Sequence, residues 1–190
     1  KVAKEKGIKI VAREFATDKT TDFNAILTKI RGAKPDVVMY GGMDATAGPM
    51  AKQMKQLGLK SVLLAGDGVC SPEFIKLAGD AAGIMHCSMA GEAVEKLAKG
   101  EEFKAKYKAE FGQDVQIYSP YSYDAVYIIA DAAKRAGKAD RAAITAAMPA
   151  TSFPGLTGTI AFDEKGDIKG GAISMFKVSG DKLEYISTVR

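Results

Sequence analysis

The sequence predicts an α/β protein built on a doubly wound parallel sheet, and three observations carry that prediction. Two apolar runs, Val37-Val38-Met39-Tyr40 and Val62-Leu63-Leu64-Ala65, stop abruptly in Gly41-Gly42 and Gly66-Asp67-Gly68. Between them Met50, Ala51, Met54 and Leu57 recur at helical spacing. Short apolar runs without alternation mark strands buried on both faces, and a helix between two such strands is the connection that parallel pairing needs. The C-terminal edge of such a sheet is where open α/β folds bind ligands, and Asp67 sets a carboxylate there.

Each element follows from its local pattern. Lys1 to Lys6 reads as the last turns of a helix with Gly7 as its stop, so the chain is expected to be cut from something longer. Residues 8–15 alternate apolar and polar as a strand does, and the polar loop Thr17-Asp18-Lys19-Thr20-Thr21-Asp22 ends in helix-capping types. Phe23, Ile26, Leu27 and Ile30 mark one face of a helix that Lys34-Pro35-Asp36 breaks, and Gly58 ends the helix carrying Met50 to Leu57. Ser71-Pro72-Glu73 is a helix start, with Pro where its missing N–H costs nothing; Gly79 or Gly83 closes that helix before a strand over 84–88.

From about Gly91 the pattern changes to consecutive helices over 101–111, 122–136 and 140–148, then a loop framed by Pro149 and Pro154. Residues 157–162 read as a strand and 163–167 as a polar turn, while 172–178 and 183–187 form a hairpin around Ser179-Gly180-Asp181. A helix-rich middle followed by antiparallel strands implies that the chain visits a second lobe and then returns.

Composition narrows the classes. With 190 residues, 47 % of them hydrophobic, the chain can bury a real core. Its formal charge of +4 is spread over helix positions such as Lys52, Lys55, Lys104, Lys106 and Lys108, interleaved with Glu101, Glu102 and Glu110, which argues against nucleic acid as a partner. No run approaches the roughly 18 apolar residues of a membrane span, and the start lacks the apolar segment of a signal peptide. Cys70 and Cys87 without a histidine cluster cannot build a zinc site; they are two buried thiols or one disulfide, the latter implying an oxidising compartment.

Candidate chemistry concentrates at the sheet edge. His86, the single histidine, sits mid-strand, no serine or cysteine has a base at recognisable spacing, and Gly41-Gly42 lacks the third glycine of a phosphate loop. No catalytic group, cofactor or metal is therefore expected. Asp67 followed by Gly68 is either a turn pair or the receiver of a ligand ammonium group. A charge-assisted hydrogen bond contributes about 1.5–3 kcal/mol, short of the roughly 8 kcal/mol of a micromolar complex, so walls and further donors are needed. Tyr40, the backbone at Gly42, Met43 and the tyrosines Tyr118, Tyr121 and Tyr123 supply them; Tyr118 precedes Pro120 and is expected in a loop.

At these residues the chain resembles a known family. Pro35-Asp36-Val37-Val38-Met39-Tyr40-Gly41-Gly42, Ala65-Gly66-Asp67-Gly68-Val69-Cys70, Leu77-Ala78-Gly79-Asp80-Ala81-Ala82, Tyr121-Ser122-Tyr123-Asp124-Ala125-Val126 and the run from Gly158 to Asp167 look like the leucine/isoleucine/valine-binding proteins of bacterial ABC importers. The likeness implies a Rossmann-like type I periplasmic binding fold, two α/β lobes joined by three crossovers and closing on an amino acid in the cleft between them. It equates residues 1–90 with 172–190 to the second lobe, lacking its first strand and most of its first helix, and 91–171 to the later part of the first.

Carried over residue by residue, Asp67 falls where the family has a glutamate for the ligand ammonium, Met43 where some members have tyrosine, and Tyr118 where some have phenylalanine against the ligand side chain. The shorter carboxylate and softer wall make some aliphatic amino acid or amide the implied ligand, not leucine in particular. The implied protein is an extracytoplasmic, periplasmic solute receptor, made with a signal segment this chain lacks, that presents its ligand to an ABC permease. A sensor domain of the same fold, or a cytoplasmic α/β enzyme lacking its front, are the alternatives. With the early part of the first lobe absent, the helix over 122–136, with Val126, Ile128, Ile129 and Ala133, is expected to expose an apolar patch, dimerise or rearrange.

Overall fold

The computed structural model describes all 190 residues and divides them into two compact units, Lys1–Met89 with Met175–Ser187, and Ala90–Ser174 with Thr188–Arg190.

The first unit opens with α1 (Val2–Glu5), which Gly7 ends at φ +69°, a left-handed conformation that favours glycine. α2 (Asn24–Gly32), β1 (Val37–Tyr40), α3 (Asp44–Gln56), β2 (Val62–Ala65), α4 (Pro72–Ala78) and β3 (Met85–Ala90) follow, with β6 (Ile173–Ser179) and β7 (Lys182–Val189) added from the end of the chain. The sheet order is β1-β2-β3-β6-β7. β1 and β2 pair in parallel with Tyr40 opposite Ala65, and β2 and β3 in parallel with Ala65 opposite Cys87, so the loops after β1 and β2 leave the same edge.

The core lies between sheet and helices and contains Phe23, Leu27, Met50, Met54, Leu63, Phe74 and Met85, all essentially buried. Burying a side chain of this size contributes about 1.5–3 kcal/mol. Gly48 is where α3 meets α4: a Cβ there would come within 2.4 Å of the Leu77 Cβ, so the helices approach as closely as they do because the residue is glycine. α4 begins as its sequence implies, with the Ser71 hydroxyl accepting the Phe74 amide at 3.1 Å.

The expected strand over 8–15 does not form. The sheet starts at β1, no backbone hydrogen bond ties residues 9–16 to the rest of the chain, and Ile8, Ile10, Val11 and Phe15 are exposed. Alternation makes a strand only when a neighbouring strand supplies the ladder and a core face, and neither is present. The outer edge of β1 is open for the same reason, and Met39 is 77 % exposed.

The second unit contains α5 (Gly100–Phe111), α6 (Ser119–Ala136), α7 (Arg141–Ala147) and a two-stranded antiparallel ribbon of β4 (Ser152–Gly155) and β5 (Gly158–Ala161). Two expectations need correction here. The segment around Pro154 is a strand and not only a loop; a two-stranded ribbon has an outer edge on which proline's missing donor is tolerated. α6 begins at Ser119 and not near 122, because Pro120 occupies the first turn, where it favours a helix start. Ile128 of α6 is buried, whereas Val126 and Ile129 are at least half exposed, which is the apolar patch expected of this helix.

Candidate ligand-binding site

The residues singled out at the sheet edge divide between the units. Tyr40, Gly42, Met43 and Asp67 belong to the first, on the loops after β1 and β2; Tyr118 belongs to the second.

In the first unit the two loops are packed on one another through glycines. A Cβ on Gly42 would lie 2.5 Å from the Tyr40 ring, and one on Gly68 would lie 2.5 Å from Met43 Sδ and 3.2 Å from the Gly42 carbonyl oxygen. The ring of Tyr40 therefore folds over Gly42, and the side chain of Met43 lies over Gly68, one residue from Asp67. Met43 remains 56 % exposed, which suits an adaptable wall.

Tyr40 is held on both sides. Its ring meets Phe23 edge-on with centroids 6.3 Å apart. Its hydroxyl lies 2.7 Å from Thr46 Oγ1, and because Thr46 gives its own proton to the Met43 carbonyl at 3.1 Å, Tyr40 is the donor. The Tyr40 hydroxyl proton is thus engaged inside the protein, and this residue acts mainly by fixing the loop that carries Gly42 and Met43.

Asp67 opens a single 3₁₀ turn, Asp67–Val69, on which Val69 and Cys70 are buried while Asp67 is exposed. Cys70 is bonded to Cys87 with Cα atoms 5.5 Å apart, which ties the Asp67 loop to β3. A second tie runs from the Ser71 hydroxyl to Asp44 Oδ2 at 2.6 Å, joining the start of α4 to the start of α3. The sequence marks Ser71 as a cap, but nothing in it announces a partner 27 residues away. Thr46 is likewise invisible until the fold brings it to Tyr40.

The tyrosines of the second unit have three different environments. Tyr118 sits in the turn immediately before α6, at its N-cap position, with 46 % of its surface exposed. Tyr121 is tied down, its hydroxyl donating to the Ala90 carbonyl, and burial followed by the charge of Glu92 raises its pKa above the ordinary phenol value. Tyr123 packs against Phe103 with centroids 5.4 Å apart. Tyr118 and Tyr123 are about equally exposed, at 46 % and 45 %, and of the two Tyr118 stands outside the ring cluster around Phe103.

There is no group of three or more metal-ligating side chains, and no helix is long and apolar enough to cross a membrane. His86 lies half-buried in β3, its Nδ1 without a hydrogen-bond partner. A parallel sheet whose glycine loops carry one carboxylate describes an α/β module of the ligand-binding class.

The particular family follows from comparison. The chain belongs to the periplasmic binding protein family, whose profile matches residues 1–182. It is 37 % identical over 158 residues to the Leu/Ile/Val-binding protein homolog 1 of Brucella abortus, covering 82 % of this chain and 42 % of that one. It is 31 % identical over 177 residues to the leucine-, isoleucine-, valine-, threonine- and alanine-binding protein of Pseudomonas aeruginosa, covering 93 % and 47 %. Among solved structures, the branched-chain amino acid transporter substrate binding protein of Streptococcus pneumoniae, in complex with isoleucine, matches with a TM-score of 0.83 at 26 % identity, covering 99 % of this chain and 55 % of that one. A leucine binding protein from Thermotoga maritima matches with a TM-score of 0.82 at 26 % identity, covering 94 % and 51 %. The chain thus spans about half the length of the relatives it matches, and its α/β fold is that of type I periplasmic binding proteins over that half.

Proposed function

We propose that this chain carries part of the binding site of a solute receptor for branched-chain or similar aliphatic amino acids, in which Asp67 receives the ligand ammonium group. The observation that carries the reading is the placement of Asp67, exposed and beside a loop pair whose other wall is Met43, on the edge where α/β sheets bind ligands. Relatives named for leucine, isoleucine and valine support the ligand class. Met43 and the half-exposed Tyr118 are the residues proposed to meet the ligand's apolar side chain, and the Gly42 backbone to line it.

The proposed activity is binding and release, with delivery to an ABC permease, and no bond is made or broken. A periplasmic, extracytoplasmic location goes with this reading, and the Cys70–Cys87 disulfide supports an oxidising compartment.

Calorimetric titration with leucine, isoleucine, valine and a glutamate control tests the proposal. Aliphatic amino acids are expected to bind selectively, and Asp67→Ala to weaken them at least tenfold, about 1.4 kcal/mol. Unchanged affinity in that variant would remove Asp67 from the site.

A further inference from the structure

The second unit contains a pocket of about 280 Å³ that the proposed amino-acid site does not use. Its walls are aromatic. Phe103 of α5 meets Tyr123 of α6 edge-on, the Tyr123 and Tyr127 rings lie 4.8 Å apart, and Tyr127 stacks with Phe153 of β4 at 6.4 Å with 21° between the ring planes. Lys99, the residue immediately before α5, and Glu102 and Lys106 of α5 also line it, at a spacing that sets them on the same side as Phe103.

The polar groups of this pocket are matched, with one exception. Glu102 is paired to Lys106 at 2.7 Å, and that bond keeps its carboxyl below the ordinary range. Asp124 accepts the Leu156 amide at 2.8 Å, the Thr157 amide at 2.8 Å and the Thr157 hydroxyl at 2.6 Å. Lys99 acts on Glu102 through its charge but makes no side-chain hydrogen bond or salt bridge, so its ammonium donors stand beside an aromatic floor.

We propose that this pocket binds a small aromatic carboxylate, its ring against Tyr127 and Phe153 and its carboxylate on Lys99 Nζ. The volume of about 280 Å³ lies just below the roughly 300–1,000 Å³ of ligand pockets, which suits a single ring and not a nucleotide. Rings meet other rings in stacked and edge-on geometry with a gain that a saturated ring of the same size forgoes. The Lys99 charge selects the acid over the corresponding alcohol.

Phenylacetate titrated into the 190-residue chain, by calorimetry and with the aromatic NMR signals followed, tests this. Saturable binding is expected, several-fold tighter than for cyclohexylacetate and at least fivefold weaker in Lys99→Gln, a substitution at an exposed side chain that leaves the core intact. The ring signals of Tyr123, Tyr127 and Phe153 should move and those of Tyr40 and Phe23 should not. Absence of saturable binding at millimolar concentration, equal binding by Lys99→Gln, or shifts at Tyr40 in place of Tyr127 would each overturn the proposal. The last outcome would put the acid on the Asp67 edge, whereas the first two leave amino-acid binding there untouched.

Discussion

The Asp67 loop of the first unit and the turn over 155–157 of the second are both short connections next to aromatic residues, yet they are held in opposite ways. The turn over 155–157 hangs on one buried carboxylate: Asp124 is 2 % exposed and takes both following amides and a hydroxyl. The Asp67 loop is fixed from behind, by the Cys70–Cys87 bond and the Ser71–Asp44 contact, while its own carboxylate stays at the surface. Asp124 is a carboxylate that builds structure, its oxygens taken up by the chain. Asp67 lies exposed on a loop that other residues anchor, the arrangement the proposed ligand contact requires.

Substitution can break this contrast. Asp124→Ala should cause the largest loss, because three donors lose one shared acceptor at about 1–3 kcal/mol each; with partial compensation by water, about 4 kcal/mol is expected. Urea unfolding followed together with proteolysis should show cleavage beginning near 155–157. Reducing the Cys70–Cys87 bond, which closes a loop of sequence separation 17, should destabilise the first unit by about 3 kcal/mol in the chain-entropy account. A denaturant midpoint unchanged by reductant would show that the Asp67 loop is anchored by packing alone.

Two smaller effects sharpen the comparison. Ser71→Ala removes both the helix cap and the tie to Asp44, and about 1 kcal/mol should be lost in thermal or urea unfolding, with amide exchange quickening at Phe74. Tyr121 belongs with Asp124 as a structural group. Its pKa is raised in the folded state, so the neutral phenol contributes stability that is fully present below its unfolded pKa near 10 and is lost as pH rises through the higher folded value. Tyr121→Phe should flatten the decline in stability above about pH 10, read from unfolding midpoints across that range; an unaltered profile would assign the decline to other groups.

Legibility in the sequence followed from how local each determinant is. α2, α3 and β1 to β3 were readable because each buries a face whose period is set by its own residues, such as Phe23 with Leu27 or Met50 with Met54. Residues 8–15 carry the right alternation but fail as a strand, since pairing depends on a neighbour that no pattern within the segment supplies. β4 was hidden behind Pro154, whose cost depends on which edge of a ribbon it faces. At the candidate site, Asp67 was visible because a carboxylate ends a buried strand. The link from Tyr40 through Thr46 to Met43 was not, because it exists only once the loop after β1 has turned into α3.

The open edge of β1 also sets how the chain behaves in company. A terminal strand with unpaired backbone groups and an exposed Met39 is a template for another segment, and residues 9–15, with Ile10, Val11 and Phe15 exposed, make no backbone hydrogen bond that would keep them from it in a second molecule. Association at high concentration is therefore expected to run through β1, whatever the bulk charge of +4. A lysine or proline set into that edge is the change that would keep the chain dispersed without touching the Asp67 loop.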